Sequence, residues 1–124
     1  MHLITSLVAA VAVLLCALPP AVSASEPPVG DTVAWLIKQV ANSGLTFVRN
    51  GREHSPSEAA RLMQYKLNAS KNEIHTPEDF IRIAGTKSST TGKTYFVKMA
   101  DGKLVPSAEW LGEALRKYRA APPG

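Results

Sequence analysis

From Asp31 onward, apolar residues recur at steps of three and four in four places, separated by short stretches rich in β-branched and aromatic residues. Val33, Leu36, Ile37 and Val40 make the first stripe, which predicts a helix capped by Asp31 and running to about Asn42. Gly44 suits the left-handed position past such an end. Ala59, Leu62, Met63 and Leu67 continue a second helix to about Ala69. It is announced by Ser55-Pro56-Ser57-Glu58, in which Ser caps, Pro fits the first turn and Glu completes a capping box. Thr76-Pro77-Glu78-Asp79 repeats that logic with Asp in the box, ahead of Phe80, Ile81, Ile83 and Ala84, and Gly85 ends the third helix. Pro106-Ser107 opens the fourth, whose stripe is Trp110, Leu111, Ala114, Leu115 and Tyr118.

Between these helices the period changes. Leu45 to His54 contains Asn50-Gly51, a pair that tolerates positive φ at both positions of a type I′ turn, so a short hairpin is expected with Phe47 and Leu45 facing the core. Thr94 to Met99 reads as a strand, Asp101-Gly102 as a turn and Leu104-Val105 as the return. The expected fold class is α+β: two β-hairpins forming a small antiparallel sheet, covered on one face by four short helices. The folded domain is expected over residues 31–119, after a Pro-rich tether at 25–30 and before a frayed tail at 120–124.

The chain before that domain is different in kind. Leu7 to Leu18 is an unbroken apolar run, Pro19-Pro20 interrupts it, and Ala21-Val22-Ser23-Ala24 has small residues where a signal peptidase needs them. The run is shorter than the about 20 residues that cross a bilayer. A signal peptide cut after Ala24 is therefore expected, with the product periplasmic or secreted and not inserted in the membrane. The n-region is atypical in carrying no Lys or Arg, and Leu15 before Cys16 does not suit lipoprotein processing. Removal of residues 1–24 takes away Cys16, the one cysteine, so the domain must stand on its core without a disulfide.

The net charge of +4 is unevenly spread. Glu26 to Phe80 holds six Lys/Arg against seven Asp/Glu, whereas Ile81 onward holds eight against three. A basic C-terminal half suits an anionic envelope component or another envelope protein, but the residues are spaced singly, as on an ordinary solvated surface. Nothing points to nucleic acid.

Most motifs that resemble chemistry fail on spacing. Gly92-Lys93-Thr94 looks like the end of a phosphate-binding loop, yet Gly85 stands too far upstream and the loop runs from helix into strand. His54 and His75 have no metal-binding spacing and no cofactor is expected. Glu53 and His54 are adjacent on a strand and point to opposite faces, which argues against their acting as one acid/base pair. Asn68-Ala69-Ser70 fits a glycosylation acceptor, relevant only in a eukaryotic secretory pathway. Two segments remain as candidate binding surfaces: the hairpin tip with Arg49, Asn50 and Arg52, and the hydroxyl-rich loop with Lys87, Ser88, Ser89 and Lys93. Hydroxyls, backbone N–H groups and cations together suit an anion or a sugar.

Several strings carry a resemblance across nearly the whole domain: Ser43-Gly44-Leu45-Thr46-Phe47-Val48-Arg49-Asn50-Gly51, Ala59-Ala60 with Met63 and Lys66, Thr76 to Ile81, Lys87 to Tyr95, and Trp110-Leu111. Together they resemble a bacterial exported, periplasmic domain-of-unknown-function family of the DUF5329 type. The resemblance implies a small envelope protein and brings no activity or catalytic residue with it. It also implies that Leu45 and Met99 replace a pair of cysteines, with an apolar contact where relatives have a cross-link. Two readings of function stand at this point: a non-enzymatic binding module using either candidate surface, and a small exported hydrolase with His54 as acid/base. An inhibitor of lysozyme-like enzymes is disfavoured, because their basic clefts select acidic partners.

Overall fold

The computed structural model describes residues 26–121; the expected signal segment and the last three residues lie outside them. The elements follow one another as α1 (Val29–Ala41), β1 (Thr46–Arg49), β2 (Arg52–His54), α2 (Pro56–Ala69), a 3-10 turn (Lys71–Glu73), α3 (Pro77–Ala84), β3 (Phe96–Lys98), β4 (Leu104–Pro106) and α4 (Ser107–Ala120). The four strands form one antiparallel sheet in the order β2-β1-β3-β4, so the expected α+β class with a single small sheet holds.

Local chemistry explains most boundaries. At α2 the Ser55 hydroxyl accepts from the Glu58 N–H and the Glu58 carboxylate accepts from the Ser55 N–H, the reciprocal box that satisfies two otherwise unpaired donors. Thr76 and Asp79 do the same at α3. The first hairpin turns on Asn50 (φ 51°) and Gly51 (φ 77°), both in the left-handed region that a type I′ turn requires.

Two expectations need correction at α1. The helix begins at Val29, inside the expected tether, because the Pro28 carbonyl already accepts from the Asp31 and Thr32 N–H groups. Asp31 therefore lies in the first turn, where its charge complements the helix dipole, and is not the cap. Gly44 does have positive φ (68°), but the helix has already ended at Ala41. The second hairpin is also shorter than expected, since Thr94 leaves the ladder to make an isolated bridge with Lys87.

The core lies between the helices and one face of the sheet. Leu36, Val33 and Val40 of α1 meet Phe80 of α3, Leu111 of α4 and Val97 of β3, all fully buried. α1 packs on α2, α3 and α4, while α2 and α4 cover the strands. Trp110 lies edge-on to Phe47, and Trp35 packs at a tilt against Tyr118. On the sheet, alternation puts Phe47, Tyr95 and Val97 on the covered face, whereas Val48, Phe96 and Lys98 on the other face are half-buried. No helix among the described residues is long and apolar enough to cross a membrane.

Candidate functional site

The covered face of the sheet carries two rows of side chains whose register follows from the pairings. His54 of β2 lies opposite Phe47 of β1, which lies opposite Val97 of β3 and, through it, Val105 of β4. One rung along, Arg52 lies opposite Arg49, and the ladder continues toward Tyr95 and Ser107, whose N–H donates to the Tyr95 carbonyl at 2.9 Å. Arg49, His54, Tyr95 and Ser107 thus face the same side as the core residues, toward α2. The mouth between α2 and this face is a hollow of about 310 Å³. Phe47, Ala59, Leu62 and Met63 give it an apolar lining, and Arg49, Arg61, Glu58, His54 and Ser107 supply the polar groups.

Two of those polar groups have no partner. His54 Nε2 and Ser107 Oγ are buried and make no hydrogen bond, and they are the only such side-chain atoms among the described residues. Ser107 is 1% exposed. Pro106 occupies the cap position of α4 and Ser107 is the first helical residue, so its hydroxyl is not used in capping. His54 Nδ1 stands 3.9 Å from Glu58 Oε1, beyond hydrogen-bond reach. Glu58 itself is held below the usual carboxylate range by the Ser55 N–H and hydroxyl of the capping box, with smaller help from His54 and Arg61. As expected, Glu53 points away from His54, and pairs with Lys98 at 2.9 Å on the opposite face.

A second hollow of about 290 Å³ adjoins the first, and Arg49, Leu62 and Tyr95 border both. Lys66 crosses its floor, donating to the Tyr95 hydroxyl at 2.8 Å and to the Lys87 carbonyl at 3.1 Å, with its ammonium 4.7 Å from the centre of the Tyr95 ring. Ser88 and Ser89 of the hydroxyl-rich loop close its far side, and Tyr65, 70% exposed, stands at its rim.

The two candidate surfaces, far apart in the chain, are brought together. Asn50 Oδ1 accepts from the Thr91 hydroxyl at 2.6 Å, and Asn50 Nδ2 donates to Ser88 Oγ at 3.4 Å. Ser88 is buried and organises the loop, since its hydroxyl also accepts from the Thr90 and Thr91 N–H groups. Asn50 and Ser88 therefore build the site's frame. Arg49 and Ser89 line the hollows, whereas Arg52, Lys87 and Lys93 are exposed and border neither. Arg61, Lys66, Tyr95 and Ser107 escaped the sequence reading as site residues. For Arg61 and Lys66 the helical period that placed Met63 inside also placed them beside it, but only the sheet's position shows what they face.

Ion pairing changes the reading of charge. Lys98 and Arg119 of the basic half reach across to Glu53, Glu26 and Glu78 in the acidic half, and Arg82 and Arg116 pair within their own helices. Among the described residues Arg49, Arg52 and Arg61 have no carboxylate partner. Arg49 and Arg61, with Lys66, are the cations that border the hollows, and they lie in the half whose charges nearly balance. No three His, Cys, Asp or Glu side chains among the described residues gather to hold a metal.

Comparison with known proteins adds kinship without a function. The model of a family described as "Family of unknown function (DUF5329)" matches residues 27–119. The uncharacterized protein YfeK of Salmonella typhimurium (strain LT2) is 38% identical over 89 residues, covering 72% of this chain and 74% of that protein. No solved structure matches. Since the family match spans the whole sheet and every helix just described but for Ala120 at the end of α4, this chain belongs to the DUF5329 family of unknown function.

Proposed function

We propose that this is a small exported protein of the bacterial periplasm that acts as a non-enzymatic binding module, taking an anionic envelope component into the paired hollows beside α2. The observation that carries the reading is Arg49, the shared wall of both hollows, with Arg61 and Lys66 on either side of it. The one carboxylate there, Glu58, is already engaged by the Ser55 N–H. A groove lined by one sign of charge and backed by apolar walls raises the local concentration of oppositely charged ligands. The export half of the proposal rests on the apolar run and the Ala21–Ala24 cleavage pattern.

The test is retention of soluble envelope extract on the immobilised protein, read against Arg49→Glu with Arg61→Glu. Neither residue is in the core, so circular dichroism should be unchanged while retention of anionic material falls at least tenfold and loses its salt dependence. Equal retention by the double variant would remove the basis of the proposal. Mass spectrometry of the mature protein tests export: a chain beginning at Ser25 is expected, and one retaining Cys16 would refute the cleavage.

A hydrolase using His54 has one observation in its favour, the unpartnered Nε2 with Glu58 near the other ring nitrogen. The strand order weighs against it. β2 and β4 are separated by β1 and β3, which puts about 14 Å of sheet between the backbones carrying His54 and Ser107. The two side chains together span well under that, so His54 does not activate the one buried hydroxyl of the hollow. Turnover of ester, amide or glycoside probes that vanishes in a folded His54→Ala protein would reverse this preference.

A further inference from the structure

We infer that the second hollow binds a phosphorylated sugar, with the phosphate monoester between the Lys66 ammonium and the Arg49 guanidinium and the sugar ring against Leu62 and Tyr65. This deepens the proposed binding role and rests on it. The register that sets Val48 opposite Phe96 sets Arg49 beside Tyr95 at the next rung, where cross-strand neighbours have Cβ atoms about 4.5–5.5 Å apart. Lys66 reaches the same tyrosine from α2, its Nζ 2.8 Å from the hydroxyl and 4.7 Å from the ring centre. Tyr95 thus brings two cations from different elements to one hollow of about 290 Å³.

The state of those cations sets the charge of the ligand. An ammonium has three N–H donors. Lys66 gives one to the Tyr95 hydroxyl and one to the Lys87 carbonyl, both neutral, so among the described residues no carboxylate neutralises it and its third donor is free. Arg49 likewise has no carboxylate partner among the described residues, and no Asp or Glu lines this hollow. Two half-buried cations without a counter-charge suit a dianion better than a single carboxylate. A phosphate monoester carries about −1.5 to −2 at neutral pH and has three strong acceptor oxygens, enough for both cations and a hydroxyl.

The rest of the lining describes what the phosphate is attached to. Leu62, Tyr65, Lys66 and Ala69 lie three and four apart on α2 and form one stripe along the hollow. Its apolar members stand beside the ammonium, and Tyr65 is 70% exposed. A sugar ring has a C–H face that packs on such a surface, and edge hydroxyls that bond to those of Ser70 and Ser89 in the same lining. The volume lies at the small end of ligand clefts, so one ring with its phosphate fits better than an oligosaccharide.

The experiment is calorimetric titration of the purified protein with glucose 6-phosphate, glucose 6-sulfate and inorganic phosphate. Glucose 6-phosphate should bind, and the other two should each be at least about tenfold weaker, the sulfate ester for want of the second charge and inorganic phosphate for want of a ring. Arg49→Gln and Lys66→Met, checked for folding by circular dichroism, should each weaken glucose 6-phosphate at least about tenfold, and Arg49→Gln decides if Lys66→Met fails to fold. Lys87→Gln should leave binding unchanged, because that side chain is exposed and borders neither hollow. Glucose 6-sulfate or inorganic phosphate binding as tightly as glucose 6-phosphate would overturn the inference and leave the anion-binding role standing. A loss in Lys87→Gln equal to that in Arg49→Gln would overturn it too, by reducing the effect to diffuse charge. A lipid headgroup can carry the same monoester, so co-sedimentation with vesicles containing phosphatidic acid, without binding of glucose 6-phosphate, would overturn the sugar. Failure of glucose 6-phosphate and vesicles together would overturn the inference alone, since envelope retention is measured separately.

Discussion

Gly85 closes α3, yet its φ of −114° is one that any residue adopts. What demands glycine there is lateral room. A Cβ at this position would run into Leu111 Cδ1 of α4, and Leu111 is completely buried in the core. Gly→Ala at the end of a helix ordinarily stabilises by restricting the unfolded chain. At Gly85 the sign should reverse, with Gly85→Ala costing about 1–3 kcal/mol as an overpacked contact, measured from urea unfolding midpoints. Pairing it with Leu111→Ala should recover part of that loss, although the small side chain leaves its own cavity, so the two changes should not add. The sequence marked Gly85 as a stop signal. The helix did stop, but for a reason that only the approach of α4 supplies.

At the scale of elements, the capping boxes are the clearest local devices. Ser55→Ala and Thr76→Ala should each cost about 1 kcal/mol, and neither should alter the fold seen by circular dichroism. The boxes also fix a pH dependence. Glu58 is held low by the Ser55 N–H and hydroxyl, Asp79 by the His75 N–H and then by Arg82, and Glu78 by Arg119. A carboxyl whose folded value lies below its unfolded one binds fewer protons when folded, so stability rises with pH across that interval. The contribution is therefore complete above the ordinary carboxyl range of about 4 and is lost as acid takes the pH through the lower folded values. Unfolding midpoints measured from pH 6 down to pH 3 should decline, and the slope should flatten in Asp79→Asn. Glu58 and Glu78 are largely exposed and Asp79 is partly so, so the decline should be shallow and reduced by salt.

These same elements show how far a chain can be read before folding. Helix starts at Ser55 and Thr76 and the turn at Asn50-Gly51 were legible because each is written within four residues and needs no partner elsewhere. The start of α1 was misread because Pro28 supplies a backbone carbonyl as the first acceptor, and a carbonyl leaves no mark in residue type. The candidate site was half legible. Arg49 and Asn50 stood out by their turn, and the hydroxyl-rich loop by composition, but nothing local tells that Asn50 holds that loop through Ser88 and Thr91. Ser107 was invisible as a site residue, since its interest lies in a hydroxyl without a partner, a property of the surroundings.

The whole molecule turns on the contact between β1 and β3. Thr46 pairs with Lys98, so the next rung sets Leu45 opposite Met99, both on the covered face and both packed against the core. The apolar contact expected of them therefore has its register. Both side chains are half-buried, less than a fully dry contact would be. Residues opposite each other in an antiparallel pair have Cα atoms about 4.5–5.5 Å apart, within the range a disulfide spans. Leu45→Cys with Met99→Cys should oxidise spontaneously and raise stability by about 2–4 kcal/mol, because the bridge closes a long loop in the unfolded chain. Persistent free thiols in the folded double variant would mean that the ladder does not extend to this rung.

That seam also divides the protein in a way the helices hide. The 3-10 turn at Lys71–Glu73 separates a first piece made of α1, the β1–β2 hairpin and α2 from a second made of α3, the β3–β4 hairpin and α4. Each piece owns one two-stranded hairpin, which is marginal in water by itself, and each would present the bare edge of β1 or β3. Interrupting the chain at this turn should therefore yield two fragments that are unstructured apart and recombine into the native sheet when mixed. Fragment complementation of this kind, followed by circular dichroism during titration of one piece with the other, would turn the domain into a split reporter whose reassembly joins the β1–β3 strand pair and buries α1 and α2 against α3 and α4.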